Sequence, residues 1–153
     1  MKYKQRLARF RRALSADNLD AFLIAGRENI RYLSGFPGDD SWALITADSA
    51  RLLTDFRYRE EARGVLPPCW ELVLRDGETL AQTSASLLGC LGPGRFGFEG
   101  RRLVYSDFEI LNHTAENNPG MELVPCAGLI EKARMIKDED EIGLIAEAAR
   151  IGD

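Results

Sequence analysis

The sequence predicts an α/β domain, a mixed β-sheet sandwiched by helices, and three observations predict it. Short apolar runs alternate with amphipathic segments along most of the 153 residues. Glycine, proline and Asx-rich turns punctuate the boundaries between them. Two of the runs, Trp42 to Thr46 and Arg51 to Thr54, bracket the turn Ala47-Asp48-Ser49-Ala50 as a hairpin, which makes the sheet mixed rather than all parallel.

The elements follow in order. Tyr3, Leu7, Phe10 and Leu14 fall at helical spacing, so Lys2 to about Asp17 is expected as an amphipathic helix. Lys2, Lys4, Arg6, Arg9, Arg11 and Arg12 occupy mainly its other face, which reads as solvated. Ala21 to Ala25 suits a buried strand, and Asn29 to Leu33 a short helix stopped by Gly35 and Pro37. Gly35 to Ser41, with two glycines, a proline and two aspartates, has to be a loop. After the hairpin, Asp55 stands where an N-cap would, ahead of a helix from Tyr58 to Gly64 that Pro67-Pro68 ends. Trp70 to Leu74 is the next strand, and Asp76-Gly77 turns into a helix from Thr79 to Leu91. Arg95 to Phe98 is a strand, Ser106 is expected to cap a helix to about Asn117, and Met121 to Val124 closes the sheet.

The last segment differs. Asp138, Glu139, Asp140 and Glu141 lie in a first helical turn, where the macrodipole favours carboxylates. The helix is then apolar almost all round: Ile142, Ile145 and Ala149 form one stripe, Leu144, Ala148 and Ile151 another. Two apolar faces expect partners on two sides. With only Gly152-Asp153 left, the expectation is a further domain downstream, or alternatively a dimer interface.

Composition narrows the function. A chain of this length closes one core, and 45% hydrophobic with 29% charged residues is ordinary for a globular protein. A net charge of −4 argues against a general nucleic-acid binder. No apolar run approaches the roughly 18 residues of a membrane span. The charged stretch Met1 to Arg12 has no apolar h-region after it, so it is no secretory signal. Cys69, Cys90 and Cys126 are odd in number and far apart, which suits a reducing compartment. A cytoplasmic location is expected, without nucleic-acid or membrane partners.

The chemical candidates are few. His113 is the sole histidine and has Glu109 four residues before it, but no second histidine or cysteine stands near in sequence for a metal site, nor does a nucleophile elbow accompany it. Gly92-Pro93-Gly94-Arg95-Phe96-Gly97 matches the dinucleotide fingerprint by letter, yet it follows a helix and enters a strand, the inverse of the required context. Asn112-His113-Thr114 fits a glycosylation acceptor inside a predicted helix. Asp39 and Asp40 sit on the glycine-flanked loop, either as a solvated acidic turn or as receivers of a cation or ammonium group, with Trp42 offering an aromatic face beside them. Asp55, Arg57, Tyr58 and Arg59 form a second polar cluster at a strand end, explained by capping and ion pairing.

Four stretches carry a resemblance: Asn29-Ile30-Arg31-Tyr32-Leu33-Ser34-Gly35-Phe36, Leu52-Leu53-Thr54-Asp55-Phe56-Arg57-Tyr58, Gly97-Phe98-Glu99, and Arg134-Met135-Ile136-Lys137 with Glu141-Ile142. In order and spacing the chain resembles the N-terminal domain of the creatinase, prolidase and aminopeptidase P family, a fold with a ribonuclease H-like motif. The resemblance implies that residues 1–131 are this domain and 132–153 a linker with the start of the first helix of a catalytic pita-bread domain. It implies a parent Xaa-Pro dipeptidase or aminopeptidase with two divalent metals (Mn, Co or Zn), whose ligands all lie beyond Asp153, so that this fragment has no catalytic residue, no cofactor and no activity of its own. It implies partners as well: the chain's own catalytic domain, a homodimer of the parent, and a proline-containing peptide at the parent's active site. A loop of this domain caps that site in the family, and by position it corresponds to Phe36, Asp39, Asp40, Ser41 and Trp42. A creatinase-like amidinohydrolase, or a stand-alone protein-binding module as in histone-chaperone subunits of this fold, are the alternatives.

Overall fold

A computed structural model describes residues 2–152; Met1 and Asp153, the outer ends of the expected segments 1–131 and 132–153, lie outside the described residues. Six strands form one sheet: β1 (Ala21–Ile24), β2 (Trp42–Thr46), β3 (Ala50–Thr54), β4 (Glu71–Leu74), β5 (Gly94–Glu99) and β6 (Met121–Cys126). Their order is β4-β3-β2-β1-β5-β6. The β2–β3 hairpin and the β1–β2 pair are antiparallel, while β3–β4, β1–β5 and β5–β6 run parallel. The mixed sheet of the sequence reading is therefore present.

Helices cover both faces. On one side lie α1 (Lys2–Ala16), α2 (Arg27–Ser34) and the short α6 (Leu129–Met135); on the other lie α4 (Leu80–Leu91) and α5 (Tyr105–Glu116). Period-two alternation divides each central strand between two cores. Phe22 and Ile24 of β1 pack with Leu7, Phe10, Leu33 and Phe36, whereas Ala21 and Leu23 pack with Leu44, Leu53, Leu88 and Phe98. Phe10 meets Phe22 edge-on at 5.4 Å between ring centroids.

The local differences from the sequence reading have physical reasons. Asp55 caps a 3-10 turn over Phe56–Tyr58, and helix α3 (Arg59–Val65) begins only after it, from Tyr58. Helix α5 starts at Tyr105, so Ser106 lies inside the first turn and Val104 holds the cap position. The segment α6 was not anticipated. Thr79 opens α4 as expected, in a reciprocal capping box with Gln82. On α1, Arg6 and Arg11 leave the solvated face: Arg6 stacks 4.4 Å over the Tyr32 ring, and Arg11 Nε donates to the Thr46 carbonyl at 2.9 Å.

The last helix, α7 (Glu139–Gly152), has no buried residue among those described. Its N-terminus is a second capping box, since Glu141 N donates to Asp138 Oδ1 and Asp138 N to Glu141 Oε2. Arg6 ties it to α1 through Asp138 and Glu141, and Lys2 reaches Asp140 at 3.3 Å. Beyond that polar hinge Ile142, Leu144, Ile145 and Ile151 stand open, together with Met135 and Ile136 before them.

Candidate functional site

Segment 35–41 connects α2 to β2 along one rim of the sheet. Gly35 launches it: the residue caps α2 with φ 83°, a left-handed conformation that a side chain resists, while its N–H returns to the Arg31 carbonyl. Phe36 then turns inward, fully buried, and meets Tyr58 edge-on at 5.9 Å. Its N–H donates to Ser34 Oγ at 3.1 Å. Gly38 lies against both aromatic rings, where a Cβ would stand 3.1 Å from Tyr58 Cδ1 and inside contact distance of the Phe36 ring.

Arginines hold the acidic tip from both ends. Arg27 donates to the Pro37 carbonyl at 2.9 Å and pairs with Asp39 at 2.5 Å. Asp40 receives Arg57 at 2.7 Å and Arg75 at 2.6 Å, and the same two guanidiniums reach Asp55 at 2.5 and 3.0 Å. Ser41 Oγ donates to Thr54 Oγ1 at 2.9 Å, which donates in turn to the Asp40 carbonyl at 3.1 Å. Hydrogen bonds from Arg57, and the charges of Arg57 and Arg75, hold the Asp55 carboxyl down at about 2 in spite of its burial. The same contact with Asp55 raises Arg57 above the usual guanidinium value. The result is a preformed shelf with its charges matched pairwise.

The expected site residues thus separate into two groups. Phe36, Ser41 and Trp42 are buried and anchor the loop. Trp42 begins β2 with its ring in the α4–α5 core, so it presents no aromatic face at the loop. Asp39 and Asp40 remain accessible, with 68% and 40% of their side chains exposed. Sequence reading missed the clamp: Arg75 lies 35 residues from Asp40, and no local pattern links them. The exposed aromatic of this rim is Phe56, flanked by the ion-paired Asp55 and Arg57.

A second polar assembly lies at the C-terminal ends of the parallel strands β1, β5 and β6. Glu99, the last residue of β5 and 6% exposed, accepts from the Ala25 and Gly26 amides at 2.8 and 2.6 Å and from the Asn29 amide. Elsewhere, His113 is exposed on α5 beside Asn117, and the glycine-rich 92–97 segment leaves α4 and enters β5. No group of three His, Cys, Asp or Glu able to hold a metal ion occurs among the described residues. No described helix is long and apolar enough to cross a membrane.

The sequence model of the Creatinase/Prolidase N-terminal domain matches residues 6–136. The uncharacterized peptidase YqhT of Bacillus subtilis (strain 168) is 35% identical over 148 residues, 97% of this chain, and the chain spans 40% of its length. The solved N-terminal domain of the cytoplasmic peptidase PepQ from Mycobacterium tuberculosis H37Rv superposes with a TM-score of 0.75 at 32% identity, covering 84% of this chain and 97% of that one. The Xaa-Pro dipeptidase from Bacillus anthracis superposes with a TM-score of 0.83 at 29% identity, over 97% of this chain and 40% of that one.

Proposed function

The chain belongs to the creatinase/prolidase N-terminal domain family, and from that premise we propose that it is the non-catalytic front domain of a dinuclear-metal Xaa-Pro peptidase. In this reading residues 1–131 form the domain, and 132–153 lead into the first helix of a catalytic domain that supplies every metal ligand. The cytoplasm is the proposed location, as for the PepQ relative.

The observation that carries the proposal is the state of α7. Ile142, Leu144, Ile145 and Ile151 are 55–78% exposed along one short helix. Each gains roughly 1–2 kcal/mol when the rest of its surface is covered. A helix built this way is complete only against another body. The proposed body is the chain's own catalytic domain, with the parent a homodimer.

The second element of the proposal is the shelf. Segment 35–41, clamped by Arg27, Arg57 and Arg75, overhangs the partner subunit's active site and limits substrate length there. Asp39 and Asp40 are its solvent-facing groups. Their pairing with arginine directs the proposal toward steric limitation rather than capture of a free ammonium group.

The test compares this chain with a longer protein carrying the sequence downstream of it. The longer protein is expected to hydrolyse an Xaa-Pro dipeptide in the presence of Mn²⁺ or Co²⁺, and the chain alone to stay inert. Hydrolysis by the chain alone contradicts the reading. Creatine turnover by the longer protein moves it to an amidinohydrolase, and a stable partner with no hydrolysis by either moves it to a binding module.

A further inference from the structure

We infer that Glu99 and Asn29 form a positioning junction that locks the loop-bearing helix α2 to α6, so that the pose of shelf 35–41 is set by how the α6–α7 end is held. The inference rests on the shelf reading above for its consequence, but its geometry stands independently. Helix α2 begins at Arg27, and its cap residue, Gly26, has no side chain to cap it. Glu99 of the neighbouring strand β5 instead holds the chain just ahead of the helix. Its Oε2 receives the amides of Ala25 and Gly26, the two residues that lead from β1 into α2, and so lies beside the helix N-terminus, where the dipole favours a carboxylate. A Cβ at Gly26 would stand 3.1 and 3.3 Å from the two carboxylate oxygens, tighter than ordinary contact.

The other carboxylate oxygen receives Asn29 Nδ2, and Asn29 is fully buried. The same Nδ2 donates to Glu131 Oε1 at 3.0 Å, and Asn29 Oδ1 accepts from Arg134 Nη1 at 2.8 Å. Every polar group of the Asn29 side chain is thereby used, on one side by β5 and on the other by α6. Tyr32, one turn further along α2, donates through its hydroxyl to the Ala133 carbonyl at 3.3 Å. Helix α2 is 8 residues long, a rigid rod of about 12 Å. At its far end Gly35 opens the shelf, and α6 leads through residues 136–138 to α7. A single buried amide therefore joins the strand end, the helix that carries the shelf and the helix that leads to the interdomain segment. The network is buried at its centre, Glu99 and Asn29, and reaches the surface at Arg134 and Glu131, and it restrains the elements that share it.

Glu99 and Asn29 are positioning residues, since neither borders the loop itself. The test is residue-resolved hydrogen exchange on this chain; a relative's isolated N-terminal domain has been crystallised, so the unit folds alone. In Glu99→Gln the introduced amide faces the Asn29 amide, donor to donor. Exchange is expected to rise about tenfold or more across 25–36 and 129–135 together. Arg134→Met, a milder change on α6, is expected to speed the Ala25 and Gly26 amides about threefold or more, although Arg134 touches neither. Leu88→Ala, destabilising from the α4 core, is the control for general loosening and is expected to show no such selectivity. Acceleration confined to residues 25–29 in Glu99→Gln, or the same pattern in Leu88→Ala, overturns the junction. In the longer peptidase, Glu99→Gln is expected to raise KM for an Xaa-Pro peptide about five- to tenfold and leave kcat within about twofold, since it touches no reacting group. Joint loosening without a KM change leaves the junction standing and removes the shelf from substrate binding.

Discussion

Replacing Asp55 by Asn tests the clamp that gives the shelf its shape. Asp55 is buried and accepts from the Arg57 amide, from Arg57 Nε and Nη2, and from Arg75. Its folded-state value of about 2 against an ordinary 3.8 corresponds to an upper figure of about 2.4 kcal/mol at neutral pH. The Arg57 end of the pair is 56% exposed, so solvent screening reduces this to about 1–2 kcal/mol. Because the folded value is the depressed one, the stabilisation is complete above the unfolded value and is lost as pH falls through the folded value. Urea denaturation of the two proteins is therefore expected to differ by about 1–2 kcal/mol at pH 7 and by roughly half that at pH 3. Equal stability at pH 7, or a difference that does not change with pH, refutes the reasoning.

Further outcomes follow from the same geometry. Gly38→Ala forces the Phe36 ring out of its place against Tyr58 and is expected to cost about 1–3 kcal/mol, read as a lowered Tm. Leu144→Lys with Ile145→Lys, on the open face of α7, is expected to leave stability within about 0.5 kcal/mol while reducing any self-association seen by sedimentation; a large loss of stability means that the face is packed within the chain. Arg6→Met removes the donor that holds Asp138, Glu141 and the Tyr32 carbonyl. It is expected to cost about 1–2 kcal/mol and to lower helical circular dichroism as α7 frays.

The sheet, its hairpin and most helices were legible because their signals are local. Thr79 opens α4 as a local cap, and the unbroken apolar runs of β1 and β2 mark strands buried on both faces. The two apolar stripes of α7 were likewise legible, and the exposure of Ile142, Leu144 and Ile145 matches them. What sequence reading missed depends on tertiary neighbours. Helix α6 is only seven residues long and buries Ile130 alone, too short a segment for periodicity to register. Trp42 looked like a loop aromatic because its position is at a strand start, yet the pleat turns its ring into the α4–α5 core. Asp40 with Arg75, and Glu99 with Asn29, are separated by 35 and 70 residues. Their partnership is a product of sheet order, in which β3 lies beside β4 and β1 beside β5. Glu99 stood in the sequence only as the end of the stretch Gly97-Phe98-Glu99, with no local feature to announce the Ala25, Gly26 and Asn29 donors that meet it.

Hydrogen exchange along α7 tests the proposed two-domain organisation most directly. It is measured on this chain and on a protein extended with its downstream sequence. Amides of residues 142–151, whose side chains are open here, are expected to exchange freely in the chain alone and to slow by about a hundredfold or more in the longer protein. Equal exchange in both contradicts the assignment of α7 to a face covered by a second domain.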